Sequence, residues 1–526
     1  GSTDYKTFML YLSKLNINQA VNLDDPNDDY NQLEIANSTV ENANNIAGTQ
    51  NRQVGIAQEN GNDTNGDGYN ANKVTLTNTA IGSINLTGDE STGIYAKRGL
   101  IFNDGQISVG KKSTGIYIVE DDRSPVGAVA GARAINSSTG VITIGEDSTG
   151  MYYKVDPDNA DGRGTNTAIG GGIVNDGKIE STANNVIAMS FDSPYASKTM
   201  ENSATGVIDL QGQNSTGMFA TGAGTYTAVN NGTIKLASSS NVNTPNIGMY
   251  TDKDTITLEN NGTIEGGDKT VGIYGYNANL GATSTTKVGS GGTGVYSKGG
   301  NVTINGGTLS IGENGTTGSN DAVGVYYVGQ GGTITSNATD VKIGNSAYGF
   351  VVQNENGAGV TLTTNTPNIT LGEDAVYVYS NNKAGTVTNN TALTSTGGGN
   401  YGVYSAGTVT NNANINFGTG IGNVGVYSIL GGTATNNAAI TVGASDTGAE
   451  KFGIGMAAGY KSSDSGNIIN SSSGIINVTG KNSIGMYATG PLSTATNKGT
   501  INLSGENSVG MYLDNGATGI NEGTIT

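Results

Sequence analysis

The sequence contains no cysteine, no histidine and no tryptophan, and only 7 prolines in 526 residues. Without a thiol or an imidazole there is no disulfide, no cysteine nucleophile, no serine–histidine–aspartate triad and no Cys/His zinc site. An enzyme built from this chain would have to work with carboxylates, lysine or tyrosine. Positive charge is also scarce: 25 basic residues stand against 43 acidic ones, a net charge of −18. That balance argues against nucleic acid and anionic membrane surfaces as partners, because both need clustered Lys and Arg. No apolar run reaches the length of a membrane-spanning helix, so no membrane insertion of this segment is expected. What the chain has in excess is glycine, 85 residues, far above the average usage of about 7%.

Glycine marks an internal repeat. Gly-(Ile/Val/Met)-(Tyr/Phe) recurs at Gly93, Gly115, Gly150, Gly217, Gly248, Gly272, Gly294, Gly324, Gly402, Gly425, Gly485 and Gly510. Degenerate copies lie at Ala188-Met189, Gly349-Phe350, Val376-Tyr377 and Gly455-Met456, and a further copy at Gly55-Ile56. The mean period is about 28 residues. The unit reads Asn-x-Gly-x-Ile-x-(Leu/Val), a Gly/Asn/Ser turn, Gly-(Ile/Met)-Tyr, then a variable loop. Apolar residues alternate within two short strands per repeat, and no 3.6-residue rhythm runs through them. One such coil cannot bury its own inward face, but stacked coils can. The fold expected is all-β: a right-handed parallel β-helix of 16–17 coils, about 80 Å long at about 4.8 Å per coil. A β-propeller fits poorly, since its blades need about 40 residues. The repeated Asn should stack into a hydrogen-bonded ladder, and the repeated Gly should allow a tight corner or close approach of the next coil.

Two departures from regularity stand out. Tyr5, Phe8, Met9, Leu12 and Leu15 follow amphipathic-helix spacing, so residues 1–50 are expected to form an N-terminal cap with a short helix, and 51–526 the β-helix. The chain ends on the first strand of a further repeat, which marks the expected β-helix as a piece of a longer one. Extra length falls in loops 119–134, 152–172 and 191–201, after the tyrosine strand of three consecutive coils. Insertions in solenoids land on one face and often make the binding surface. The candidate partner-binding residues there are Asp121, Arg123, Tyr153, Lys154, Asp158, Arg163, Phe191, Tyr195 and Lys198. Against this stands plain loop drift, which costs little.

Asp63, Asn65 and Asp67 have the spacing of the first ligands of a calcium loop, with Gly68 following. Val74 occupies the place of the bidentate Glu, so Ca2+ is a candidate cofactor of reduced affinity, and an ordinary Asp/Asn/Gly turn is the alternative. The mid-repeat carboxylates Asp89-Glu90, Glu146-Asp147, Glu313, Glu373-Asp374 and Glu506 recur at one register. Catalytic acids occur once, as a close pair, so these read as architectural and no catalytic residue is assigned. The repeated tyrosines could stack on sugars, but a regular ladder reads first as packing.

The segments NSTGMFATG (Asn214 to Gly222), NSIGMYATG (Asn482 to Gly490) and STGIYAKRG (Ser91 to Gly99), alternating with NNGTI at Asn230 and Asn260, resemble passenger domains of the large fusobacterial type Va autotransporter adhesins, the RadD-type and galactose-inhibitable adhesins. The resemblance covers residues 50–526. It implies a monomeric rod on the bacterial cell surface, held by an outer-membrane barrel, that attaches to host-cell proteins or glycans and to partner bacteria. The glycans would include Gal-GalNAc and the proteins an inhibitory receptor on immune cells. No binding residue of that family maps onto a position here. A passive stalk and a polysaccharide-degrading enzyme remain the alternatives.

Overall fold

The computed structural model describes residues 13–24, 32–36, 38–59, 74–121, 132–156, 171–196, 199–312 and 321–526. These divide into two compact units, Gly1–Glu265 and Gly266–Thr526. Both are parallel β-helices, and no helix occurs among the described residues.

Each coil carries three strands rather than the two expected. In the N-terminal unit, face one stacks nine strands from Lys14–Ile17 to Thr257–Asn260. Face two runs from Val21–Asn22 to Thr233–Leu236. Face three runs from Gln32–Ala36 to Ile247–Thr251. The C-terminal unit repeats the plan. Its face one extends from Asn277–Leu280 to Thr518–Asn521, and its face three from Val271–Gly275 to Val509–Asp514. The unexpected strand is face one, hidden in the variable loop. Its inward positions in the N-terminal unit are a single apolar residue and an asparagine, as in Thr227–Asn230 (TAVN), so apolar periodicity does not reveal it.

Coils reach back to Lys14, inside the segment expected to cap the solenoid. Residues 1–12 lie outside the described residues. Leu15, the last member of the helical spacing, sits in the strand Lys14–Ile17, where its backbone pairs with Val40.

The core is built of columns. On face two of the N-terminal unit, Ile46, Ile84, Ile107, Ile142, Ile179, Ile208 and Ile234 superpose coil upon coil, all buried. Each buries one side chain against its like above and below, which stabilises the stack by about 1.5–3 kcal/mol per residue. On face one the expected asparagine ladder is present. Asn42, Asn78, Asn103, Asn136, Asn175, Asn202, Asn230 and Asn260 are fully buried. Each donates its Nδ2 to the Oδ1 of the next at 2.7–2.8 Å. The C-terminal unit has the same ladder from Asn389 through Asn411, Asn436, Asn470 and Asn497 to Asn521. Asn suits the position because its amide carries a donor and an acceptor on separate atoms, so it can give to one neighbour and accept from the other while its Nδ2 also reaches backbone carbonyls. Asn202→Ala should therefore cost about 2 kcal/mol, since it strips the Asn230 Oδ1 of its buried donor. Urea unfolding would check this, and a loss below about 0.5 kcal/mol would mean the ladder is ornamental.

Several of the described turn acids shape the turn or pair with a cation of the neighbouring coil. Glu90 and Asp147 sit in the left-handed region at φ 56° and 57°. Arg52 Nε meets Glu90 at 2.9 Å, and Lys111 Nζ meets Glu146 at 2.7 Å, so charges pair between adjacent coils. The hydrogen bond from Arg52 holds the Glu90 carboxyl below its ordinary value. These pairs are solvent-exposed and each adds little to stability.

Candidate functional site

The outward side of face three distinguishes the two units. One column there holds the repeated tyrosine. In the C-terminal unit it runs Tyr274, Tyr296, Tyr326, Val351, Tyr379, Tyr404, Tyr427, Ala457, Tyr487 and Tyr512. Neighbouring rings lie against one another, with centroids 4.6 Å apart for Tyr274–Tyr296 and 4.8 Å for Tyr404–Tyr427. These tyrosines pack, but on each other and half in solvent, not in the core.

The adjacent outward column mixes threonine with apolar residues in the N-terminal unit: Val54, Thr92, Thr114, Thr149, Ile187, Thr216 and Ile247. In the C-terminal unit it becomes Val323, Tyr348, Val376, Tyr401, Val424, Ile454, Ile484 and Val509. Two apolar columns side by side make a strip that solvent-facing strands ordinarily avoid.

The tyrosine column of the C-terminal unit breaks twice, and each break opens a cleft. At Val351 the cleft is about 530 Å³, walled by Tyr326, Tyr348, Tyr379 and Tyr404. At Ala457 it is about 840 Å³, between Tyr427 and Tyr487 with Tyr512 beyond. Tyr401, Tyr427 and Tyr460 line both, so the clefts join into one trough.

The coil of Ala457 is modified on both sides of its face-three strand, Ile454–Ala458. Before it, Asp446 and Lys451 pair their backbones in an antiparallel bridge, and the Asp446 carboxylate accepts from the N–H groups of Gly448 and Ala449. This turn lifts Glu450, Lys451 and Phe452 to the rim. After the strand, Asp464 accepts from the N–H groups of Tyr460 and Leu430, fixing a loop that presents Tyr460. Phe452 is 39% exposed and Tyr460 62%. Large aromatics held open to water by built turns are the mark of a contact surface.

The rim carries Asp374, Glu450 and Asp514 against one lysine, Lys451, whose Nζ lies 3.7 Å from Asp374. Burial, then the neighbouring rings, pushes the Tyr404 hydroxyl up to about 12, and the same causes raise Tyr427 further. Burial raises Tyr379 and Tyr401 as well. The hydroxyls therefore stay protonated, and act as donors, throughout the physiological range. Those of Tyr379, Tyr401, Tyr404 and Tyr460 have no acceptor among the described residues.

The residues expected to bind a partner fare differently. Tyr153 and Phe191 are fully buried and cannot touch a partner. The strand Thr149–Asp156 alternates, so Tyr152 points out and Tyr153 in. Tyr153 stacks on Phe191 at 4.5 Å, Phe191 meets Tyr226 edge-on at 5.1 Å, and the Tyr153 hydroxyl donates to the buried Glu120. Lys154 and Tyr195 are half-buried. Asp121 ends a strand whose last residue pairs with Asp156, so two of the long loops leave from adjacent positions. Arg123, Asp158, Arg163 and Lys198 lie outside the described residues, as do the calcium candidates Asp63, Asn65 and Asp67. Among the described residues no group of three or more His, Cys, Asp or Glu is placed to hold a metal.

Sequence reasoning did not single out the trough. The signal was present in the degenerate repeats: Gly349-Phe350 and Gly455-Met456 are followed by Val351 and Ala457, the two missing tyrosines.

Residues 407–524 match the family described as the third pectate lyase-like domain of BigA. The matched stretch contains the Ala457 coil with both of its loops, and it agrees with the parallel β-helical architecture. No curated protein shows a significant match to the chain.

Proposed function

We propose that this chain is a stretch of a bacterial surface adhesin of the β-helical type, and that the trough of its C-terminal unit is a contact surface. The observation that carries this reading is the coil of Ala457. A missing tyrosine, an apolar floor and two built loops presenting Phe452 and Tyr460 coincide there. The BigA-type match over the same coils supports the surface-protein class. The resemblance of the repeats supplies the setting: an outer-membrane-anchored passenger that attaches to host-cell proteins or glycans and to partner bacteria. The role is binding without catalysis.

The experiment measures binding of the labelled chain to host epithelial cells and to partner bacteria. Replacing Phe452 and Tyr460 together by serine should lower binding about tenfold or more, because exposed aromatic anchors carry most of a contact's energy. Both side chains are solvent-exposed, so the fold should be spared. Undiminished binding by this variant would remove the trough from the function. A second surface is proposed at the corner where the loops after Asp121 and Asp156 leave adjacent coils. Loss of binding on trimming those loops, with the serine variant unaffected, would move the site there. A chain that binds no cell in any form would be a passive stalk.

A further inference from the structure

The chemistry of the trough restricts what can lie in it. Its floor is the outer side of a sheet whose backbone groups are already paired with the coils before and after. A ligand therefore cannot add as a β-strand on this face. The floor side chains Val376, Val424, Ile454 and Ile484 offer no hydrogen bonds. A sugar in such a cleft would find ring faces to stack on, but little on the floor to meet its hydroxyls. What the trough offers is a run of tyrosine faces with unpaired hydroxyl donors and a rim of three carboxylates. That set matches a chain rich in carbonyl acceptors, poor in N–H donors and positively charged.

A polyproline II segment meets those terms. Proline has no N–H, its ring packs on aromatic faces, and its carbonyls point outward to accept from tyrosine hydroxyls. The geometry agrees in a second way. Val351 and Ala457 are four coil steps apart, through Tyr379, Tyr404 and Tyr427, about 19 Å at the strand spacing. A polyproline II helix covers about 19 Å in six residues, two full turns of three. Residues six apart therefore face the same way and reach both clefts.

The charge places the basic residue. Asp374, Glu450 and Asp514 outnumber Lys451 at the Ala457 cleft, whereas the Val351 cleft is walled by tyrosines, valines and Gln353. The protein already sets ammonium groups on tyrosine rings of this unit. Lys298 Nζ lies 4.9 Å from the Tyr274 centroid, and Lys461 Nζ 5.3 Å from that of Tyr460. A cation between aromatic faces and carboxylates gains from both.

We propose that the trough binds a proline-rich, basic polypeptide segment in the polyproline II conformation, running along the coil stack, with a basic side chain in the Ala457 cleft and a proline six residues away in the Val351 cleft. This rests on the reading of the trough as a contact surface and names its ligand class.

The test uses the full chain and fluorescent synthetic peptides: a proline-rich peptide carrying one arginine six residues from a central proline, the same peptide with glutamate for arginine, and one with the spacing changed to five. Fluorescence anisotropy should show saturable binding of the first, and about tenfold or weaker binding of the other two. Ala457→Tyr and Val351→Tyr complete the tyrosine column, so each fills a cleft with the residue its neighbours already carry. Both variants should keep the β-sheet circular dichroism and lose peptide binding about tenfold or more. Equal binding of the arginine and glutamate peptides, or binding unchanged in both filled variants, would overturn the proposal. So would saturable binding of galactose-type oligosaccharides with none of the peptides. If cells still bind in a Phe452- and Tyr460-dependent way while the peptides do not, the ligand class alone is wrong. If neither binds, the contact surface itself is wrong.

Discussion

Phe191→Ala is expected to destabilise the N-terminal unit by about 3–5 kcal/mol and to leave partner binding unchanged. The side chain is fully buried between Tyr153, stacked at 4.5 Å, and Tyr226, edge-on at 5.1 Å. Truncation removes an aromatic ring from both contacts and leaves a cavity that the rigid coils on either side cannot close. It also loosens what the rings hold. The Tyr226 hydroxyl donates to the carbonyl of Thr221 at 2.6 Å, and that of Tyr153 donates to Glu120. Losing the packing exposes a buried carboxylate–hydroxyl pair to misalignment. Lys154→Ala, an outward position on the strand beside it, should change stability by less than about 0.5 kcal/mol. Thermal unfolding of the two variants separates the readings. A stable Phe191→Ala protein that no longer binds cells would return Phe191 to the surface role that its place in a lengthened loop suggests.

The difference between Phe191 as anchor and Phe191 as core shows where the sequence was legible. Repeat, class and stacking direction follow from the spacing of Gly-(Ile/Val/Met)-Tyr, because one coil can bury its apolar face only against another. The inward asparagines were legible too, because an amide repeated at one register has one economical use. Parity was the missed step. In TGMYYKVD the residue aligned with every other repeat's tyrosine is Tyr152, so Tyr153 must turn inward. Aromatic enrichment of these loops points to an interface, yet two of the rings, Tyr153 and Phe191, belong to the core. Face one was missed for the opposite reason, since a strand such as TVTN presents asparagine where the apolar rhythm expects a hydrophobe.

The trough was hidden by the same regularity that revealed the fold. A search for what repeats discards the coils that do not, and Val351 and Ala457 are those coils. The insertion before Ile454 leaves the Gly425-to-Gly455 spacing close to the mean, so total length does not flag it. Only its content does, with Glu450, Lys451 and Phe452 replacing the usual Gly/Asn/Ser turn. The unbroken run without threonine from Val323 to Val509 in the outward column needed the knowledge that this column faces solvent, and the structure supplied it.

Gly115→Val is expected to cost about 3 kcal/mol or more, through overpacking rather than through a lost contact. The repeated glycine is not a turn residue. Gly115 lies within the strand Thr114–Asp121 and is absent from the positions of positive φ. Its role is close approach. A Cβ built there would stand 2.5 Å from the carbonyl oxygen of Gly150 in the next coil and 2.7 Å from Ile142 Cγ2. One contact is backbone, held by the parallel ladder to Thr149–Asp156, and cannot retreat without breaking hydrogen bonds. The other is a member of the face-two isoleucine column, locked by Ile107 and Ile179. Ala188 and Tyr377 stand in place of this glycine in two of the described coils, and at Tyr377 the surroundings have changed with it. Its buried hydroxyl bonds to the Thr391 hydroxyl at 3.2 Å, where the repeats at Asn230 and Asn260 carry glycine after the paired asparagines. Gly115 has no such compensation, so valine must push the coils apart. Hydrogen exchange should show accelerated amides in the strands Thr92–Lys97 and Thr149–Asp156 on either side, and protection retained several coils away, because each coil contacts only its neighbours. Undisturbed exchange at Ile116 and Met151 would refute close approach as the reason for the glycine.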